Sequence, residues 1–181
     1  ARCAGARIHI AHVSTAGSIE IIRESKKRGI DISCETCPQY YTFTEDDVLA
    51  KEAMAKMFPP LRTEKDRNAI IAGLVDGTID IIATDHAPHS GPEKARGLEN
   101  APGGMVGLET SLASALTALY HTGELGLIEL IRKMSMNPAR RLNLEMGGVT
   151  VGDRADLIVF DSEREWIVRP ERFYSKSANT P

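Results

Sequence analysis

The sequence predicts an α/β fold, in which helices cover a parallel sheet. Three short segments, residues 7–13, 30–35 and 78–84, are rich in β-branched and apolar residues, which is typical of strands. Helical patterns separate the three segments, and alternation of strands with helices favours β-α-β units. The chain of 181 residues is long enough for one globular domain with a core of its own.

Each element has its own signal. Alternation in the first strand places Ile8, Ile10 and His12 on one face. The helix that follows has a basic last turn, and Gly29 is its stop signal. The helix before the third strand begins at a capping residue, Thr63. These boundaries predict strand, helix and strand in regular order.

Irregular and helical segments fill the rest of the chain. Residues 36–62 carry a capping-type spacing at Thr44 and a break at two prolines. The segment at 85–107 is long and rich in Pro and Gly, and loops of that length are usually functional or disordered. Two helical stretches follow, and Pro138 suits the start of a third. We expect a division into residues 1–145 and a β-rich region at 146–181, with a hairpin around residues 162–164.

Composition excludes several functional classes. The net charge is -3 and the basic residues form no long run, so nothing favours nucleic acid binding. No apolar stretch approaches the roughly 20 residues that span a bilayer. Three cysteines are too few for a disulfide framework, which predicts a reducing, cytoplasmic location. Cys34 and Cys37 have C-x-x-C spacing, for which two reduced thiols are favoured over a redox pair or a structural zinc site.

Ionisable residues follow the first and third predicted strands. His12 ends the first strand, and Asp85, His86 and His89 follow the third within a few residues. In a parallel α/β barrel the carboxyl ends of the strands share one opening, so His12 and Asp85 could meet there. Imidazole and carboxylate are ligands of hydrolytic zinc, but each residue alone is as well explained as a strand cap or a turn residue. His86 points away from Asp85 and is interpreted as a supporting residue.

Several motifs resemble the second half of the cyclic amidohydrolases, in particular the dihydroorotase group. They are "HVST", "ETCPQYY", "FPPLRTEKDR", "DGTIDIIATDHAPHS", "APGGMVGLETSL", "NPAR" and "GDRADLIVFD", in that order along nearly the whole chain. The resemblance implies the C-terminal part of a TIM-like (β/α)8 barrel in residues 1–145. It also implies part of a small composite β-sandwich in residues 146–181.

The resemblance assigns roles to individual residues. His12 would be a metal ligand at the end of a barrel strand, for one or two zinc ions. Asp85 would touch the metal and act as the catalytic proton shuttle. His89 would bind the carboxylate of the substrate, and the backbone at Gly103 and Gly104 would hold its ring.

Two positions depart from the pattern of the group. Phe58 stands where Asn commonly precedes Pro-Pro-Leu-Arg and helps to bind substrate, and Gly103 stands where a bulkier residue is common. The remaining metal ligands of the group would precede Ala1. We therefore expect the segment to be a fragment, and to be inactive by itself because two ligands bind zinc weakly.

The resemblance implies reversible conversion of N-carbamoyl-L-aspartate to L-dihydroorotate in de novo pyrimidine biosynthesis. A hydantoinase or allantoinase is the alternative within the same class of enzyme. A non-catalytic scaffold subunit is the alternative from another class, and Phe58 motivates it. The partners implied are the small-molecule substrate and either a second copy of the chain or aspartate carbamoyltransferase.

Overall fold

A computed structural model describes residues 3–181, and its centre is a three-stranded parallel sheet. The strands are β1 (Ile8–Ile10), β2 (Ile32–Thr36) and β3 (Ile81–Ile82), in the spatial order β1-β2-β3. Ile8 pairs with Ile32 in the first ladder. Glu35 pairs with Ile81 in the second. All three carboxyl ends therefore lie at one edge of the sheet, as the sequence predicts.

Helices connect and cover the strands. The α-helices are α1 (Ala16–Lys27), α2 (Pro38–Thr42), α3 (Glu45–Lys51), α4 (Glu64–Val75), α5 (Gly91–Lys94), α6 (Gly97–Asn100), α7 (Ser111–Ala115), α8 (Leu127–Ile131) and α9 (Asn137–Arg141). Turns of π-helix at Leu116–Tyr120 and Arg132–Met136 extend α7 and α8, and 3-10 turns lie at Glu52–Ala55 and Pro170–Arg172.

The two long helices begin where their capping residues predict. The Thr15 hydroxyl accepts a hydrogen bond from the backbone N–H of Ser18 at the start of α1. The Thr63 hydroxyl accepts one from the backbone N–H of Asp66 at the start of α4. Each bond satisfies an N–H that has no partner within its own helix. The prediction of the Thr63 cap is confirmed.

The main core lies between the sheet and α1, α4, α7 and α8. Its fully buried members include Ile19, Ile70, Leu74, Leu119 and Leu130. Burying each such side chain stabilises the fold by roughly 1.5–3 kcal/mol. The sheet therefore rests on a continuous apolar layer, and the carboxyl ends of its strands stay free for polar residues.

The predicted hairpin around residues 162–164 is wrong in this structure. A turn lies at Ser162 and Glu163, but no strand is assigned anywhere in residues 143–169. We call these residues the extended region, and Ile158 and Val159 are examples of its largely exposed apolar side chains. A two-stranded hairpin without a surface to pack on is marginal in water. The composite β-sandwich stays a prediction.

Among residues 3–181, no helix is both long enough and apolar enough to cross a membrane.

Candidate functional site

Polar residues from all three strands meet at the carboxyl edge of the sheet. His12 follows β1, Glu35 lies near the end of β2, and Asp85 follows β3. His12 and Asp85 have φ values of 56° and 48°, in the left-handed region that few non-glycine residues adopt. Such backbone conformations concentrate at functional sites. The turns after β1 and β3, and the end of β2 itself, thus each place an ionisable side chain at the sheet edge.

The two ring nitrogens of His12 face different groups. Nε2 lies 3.7 Å from Asp85 Oδ1. Nδ1 lies 3.1 Å from Glu35 Oε1 and 3.4 Å from Cys37 Sγ. Of these two neighbours of Nδ1, only Cys37 has hydrogen-bond geometry, and Glu35 lies at ion-pair distance. Nδ1 is thus occupied by neighbours of its own, which leaves Nε2 as the ring nitrogen that faces Asp85 and could bind a metal.

Glu35 also holds a second imidazole. His9 Nε2 lies 3.1 Å from Glu35 Oε2, and His9 Nδ1 lies 2.8 Å from Ser33 Oγ. The two carboxylate oxygens of Glu35 therefore each face one histidine. Residues that anchor a ligand histidine in this way fix its ring orientation and tautomer. Sequence reasoning found no partner for His9, and the structure supplies one.

Asp85 is held on one side and open on the other. Gln39 Nε2 donates a hydrogen bond of 3.0 Å to Asp85 Oδ2, and Gln39 is buried. Burial raises the pKa of the Asp85 carboxyl, and the charge of Glu35 adds to the increase, whereas His12 and Gln39 oppose it. Oδ1 keeps its position opposite His12. Asp85 is therefore a fixed, partly desolvated carboxylate that can hold a proton.

Two arrangements around His12 could hold a metal ion. On the Nδ1 side, ligand atoms of His12, Glu35 and Cys37 lie within 4.8 Å of one another. Burial strongly raises the pKa of the Cys37 thiol, which disfavours the thiolate that binds metal. On the Nε2 side, His12 and Asp85 are half-buried and stand apart by a distance that suits two ligands of one ion. We favour the Nε2 side, because a catalytic metal needs an open position.

Cys34 and Cys37 are both free thiols and both buried. Burial raises the pKa of Cys34 to about 11. Burial of both thiols disfavours the thiolate that redox chemistry needs, and two reduced thiols stay the prediction.

The residues expected to bind substrate are His89, Gly103, Gly104 and Phe58, and we call them the substrate wall. His89 Nε2 lies 3.1 Å from the carbonyl oxygen of Gly103. Gly104 has a φ of 148°, and a Cβ there would lie 3.0 Å from His89 Nε2 and 2.7 Å from Ala87 Cβ. The backbone at Gly104 therefore approaches Ala87 more closely than a residue with a Cβ allows, and it lies against His89.

Phe58 completes this wall. A Cβ added to Gly103 would lie 2.6 Å from Cδ2 of the Phe58 ring, and Phe58 as a whole residue is 66% exposed. The two departures from the group's pattern are thus neighbours in space. The large side chain at position 58 occupies the volume that a larger residue at position 103 would need.

His86 joins this wall to the sheet. Its Nδ1 accepts hydrogen bonds from the backbone N–H groups of Gly107 and Leu108, at 3.2 and 3.3 Å. His86 also forms an isolated β-bridge with Met105. This geometry agrees with the supporting role expected for His86, which fixes the segment after Gly104.

Sequence reasoning missed Glu35 and Gln39 as members of the site, and it considered Cys37 only as one half of the C-x-x-C pair. Glu35 carried a signal, since a charged residue near the carboxyl end of a buried parallel strand often faces the opening. Gln39 carried none, because its contact with Asp85 joins residues 46 positions apart.

Comparison with known proteins places the chain in a family. The profile of the Amidohydrolase family matches residues 2–181. The chain is 51% identical to a dihydroorotase of Ruminiclostridium cellulolyticum over 97% of its own length, and 49% identical to one of Clostridioides difficile over 98%. It spans 41% and 42% of those two relatives.

Solved structures agree on the fold. The L-hydantoinase (dihydropyrimidinase) of Arthrobacter aurescens matches 98% of this chain, with a TM-score of 0.90 and 32% identity, over 40% of its own length. A D-hydantoinase of a Thermus species matches with a TM-score of 0.89 at 21% identity, which bears on the fold alone. The predicted α/β class is confirmed. With its family profile matched along nearly the whole sequence, this chain belongs to the amidohydrolase family.

Proposed function

We propose that the enzyme containing this chain is a zinc-dependent dihydroorotase. It would interconvert N-carbamoyl-L-aspartate and L-dihydroorotate in pyrimidine biosynthesis. The curated relatives at about 50% identity support this choice of substrate. The observation that carries the proposal is the approach of His12 Nε2 to Asp85 Oδ1, at 3.7 Å, on the open side of the imidazole.

The metal would be zinc, as one or two ions. His12 would bind it through Nε2 and Asp85 through Oδ1. Further ligands would come from the part of the complete enzyme that corresponds to the rest of the relatives' length. Bound zinc supplies two kinds of chemistry, because it lowers the pKa of water and polarises a carbonyl group. Two ligands alone bind the ion weakly, so we propose that the segment by itself is inactive.

Asp85 would move the proton. Its carboxylate takes a proton from the attacking water and delivers it to the amide nitrogen that leaves when the ring opens. The bond from Gln39 to Oδ2 keeps the carboxylate in place throughout. Ring closure reverses these transfers, so Asp85 takes the proton from the attacking nitrogen and returns it to the oxygen that leaves as water.

The substrate wall would bind the substrate. His89 would pair with the substrate carboxylate, and the backbone at Gly103 and Gly104 would hold the ring. Phe58 offers an exposed aromatic face beside Gly103 in place of an amide. We propose that this face packs against the substrate ring, which changes the contact without removing it.

An assay of the complete enzyme tests the proposal. We expect turnover of dihydroorotate and of N-carbamoyl-L-aspartate, and little or none of hydantoin or allantoin. Asp85→Asn should lower kcat by roughly 10²–10⁴-fold, since it removes a general base and acid. Asp161→Asn, in the exposed extended region, should leave kcat unchanged.

The alternatives predict other outcomes. Preferred turnover of hydantoin would favour a hydantoinase, an alternative that the 32% identity to the L-hydantoinase supports. Zinc binding without turnover of any cyclic amide would favour the non-catalytic scaffold. Co-purification with aspartate carbamoyltransferase, or a dimer in solution, would test the two proposed partners.

A further inference from the structure

Residues 177–180 form a short, partly buried segment beside the substrate wall. Ser177 and Asn179 are buried although both are polar, and no helix or strand contains them. We call residues 177–180 the clasp. A buried polar segment needs partners for its hydrogen-bonding groups, so its contacts reveal what it holds.

Asn179 joins two loops through its side-chain amide. Nδ2 donates hydrogen bonds to the carbonyl oxygens of Met54, at 2.9 Å, and Gly104, at 2.8 Å. The two bonds use both of the amide's protons. Met54 lies in the 3-10 turn that precedes Phe58, and Gly104 lies in the substrate wall. Asn179 therefore ties together the two loops that carry the wall.

The rest of the clasp strengthens this connection. The backbone N–H of Val106 donates to the carbonyl oxygen of Asn179, at 2.9 Å. The Thr180 hydroxyl donates to the carbonyl oxygen of Val106, at 2.9 Å. The Ser177 hydroxyl donates to Asn179 Oδ1, at 2.8 Å, and so orients the amide toward its two acceptors.

Gly104 needs such support. Its φ of 148° is a conformation that glycine reaches easily and also leaves easily, because no Cβ restricts it. The backbone N–H of Gly104 donates to the carbonyl oxygen of Lys56, at 2.9 Å, and the carbonyl oxygen of Gly104 accepts from Asn179. Both polar groups of this residue are therefore fixed from outside its own loop.

We infer that Asn179 is a positioning residue for substrate binding. It fixes the peptide groups at Gly103 and Gly104 against His89 before the substrate arrives. This inference rests on the proposed function, because it assigns the Gly103–Gly104 backbone to the substrate. Holding a loop in its bound conformation reduces the ordering cost of binding, so the effect should appear in KM.

Hydrogen exchange of backbone amides tests the clasp without any assay of activity. Asn179→Ala removes both donated bonds, so amides at residues 103–107 should exchange roughly tenfold faster. The matched control is Asn68→Ala, at an exposed position of α4, which should leave this segment unchanged. Unchanged exchange at residues 103–107 in Asn179→Ala would overturn the inference.

Kinetics of the complete enzyme separate positioning from stability. Asn179→Ala should raise the KM for dihydroorotate on the order of tenfold and change kcat by less than about twofold. Ser177→Ala should change KM in the same direction and less strongly, and it serves if Asn179→Ala does not fold. A lower melting temperature with KM unchanged would show a merely structural role and contradict the inference.

The two proposals fail in different ways. If the wild-type enzyme turns over neither dihydroorotate nor N-carbamoyl-L-aspartate, the proposed function is wrong. The amide exchange rate at residues 103–107 then tests the role of the clasp by itself. If Asn179→Ala does not increase that rate, the inference about the clasp is contradicted. If the wild type is active and Asn179→Ala keeps its KM, only the clasp is wrong.

Discussion

Residues 79–83 and residues 157–160 have similar sequences and opposite environments. The first segment, "IDIIA", contains β3, and its first residue, Ile79, is 0% exposed. The second, "LIVF", lies in the extended region, where Ile158 is 76% exposed. Both are β-branched and apolar, but only the first has a neighbouring strand and a layer of helices. An apolar pattern therefore becomes a strand only where another element covers it.

The largest expected effect compares these two segments directly. Ile79→Ala should lower the free energy of unfolding by about 2–5 kcal/mol, because it leaves a cavity in the core. Ile158→Ala should change it by less than about 0.5 kcal/mol, since the side chain is exposed. Urea unfolding of both variants measures the difference. A large cost for Ile158→Ala would mean that the extended region is packed in solution.

The second comparison concerns carboxylates. Glu35→Ala should weaken zinc binding by the complete enzyme roughly 10–100-fold, because His12 loses the carboxylate that lies against its Nδ1. Competition with a chromophoric chelator measures the affinity. Glu165→Ala, an exposed change in the extended region, is the control. Equal zinc affinities in the two variants would show that Glu35 does not support the metal site.

The third concerns Phe58 and Gly103, which we expect to be coupled. Gly103→Ala should destabilise the protein when Phe58 is present and cost less in the Phe58→Asn background, with a coupling of about 0.5–3 kcal/mol. Gly17→Ala is the control, since nothing lies within 4 Å of a Cβ there. A double-mutant cycle of unfolding free energies gives the coupling, and a value near zero would mean that the exposed ring simply moves aside.

The smallest effect concerns pH. Because burial raises the pKa of Asp85 in the folded state, the ionised carboxyl costs stability, and this cost appears as the pH rises through the folded value. Asn tolerates the left-handed backbone at this position. In the metal-free protein, Asp85→Asn should therefore gain stability relative to wild type between about pH 3 and pH 7.

Thermal unfolding across that pH range, with a chelator present, measures the effect. Asp161→Asn in the extended region should show no such trend. A stability difference between wild type and Asp85→Asn that does not vary with pH would contradict the raised pKa.

The sequence predicted the elements whose signals are local. The Thr63 cap, the parallel strands and the placement of His12 and Asp85 at strand ends all follow from residue types within a few positions. Chain topology then brings the two strand ends together, so the sequence was enough to predict about half of the candidate site.

The other half depends on contacts between distant residues. Gln39 meets Asp85 across 46 positions, and Asn179 meets Met54 across 125. No periodicity or spacing encodes such pairs. The predicted hairpin failed for a related reason, since its residues have strand-like side chains but no surface in residues 3–181 to pack against.

In the proposed site, His12 and Asp85 bind one metal ion between them. The most direct measurement is an anomalous difference map at the zinc edge, from crystals of the complete enzyme grown with zinc. We predict a peak at about 2.0–2.2 Å from both His12 Nε2 and an oxygen of Asp85. A peak on the other side of the ring, among His12 Nδ1, Glu35 and Cys37, or no peak at either side, would contradict the claim.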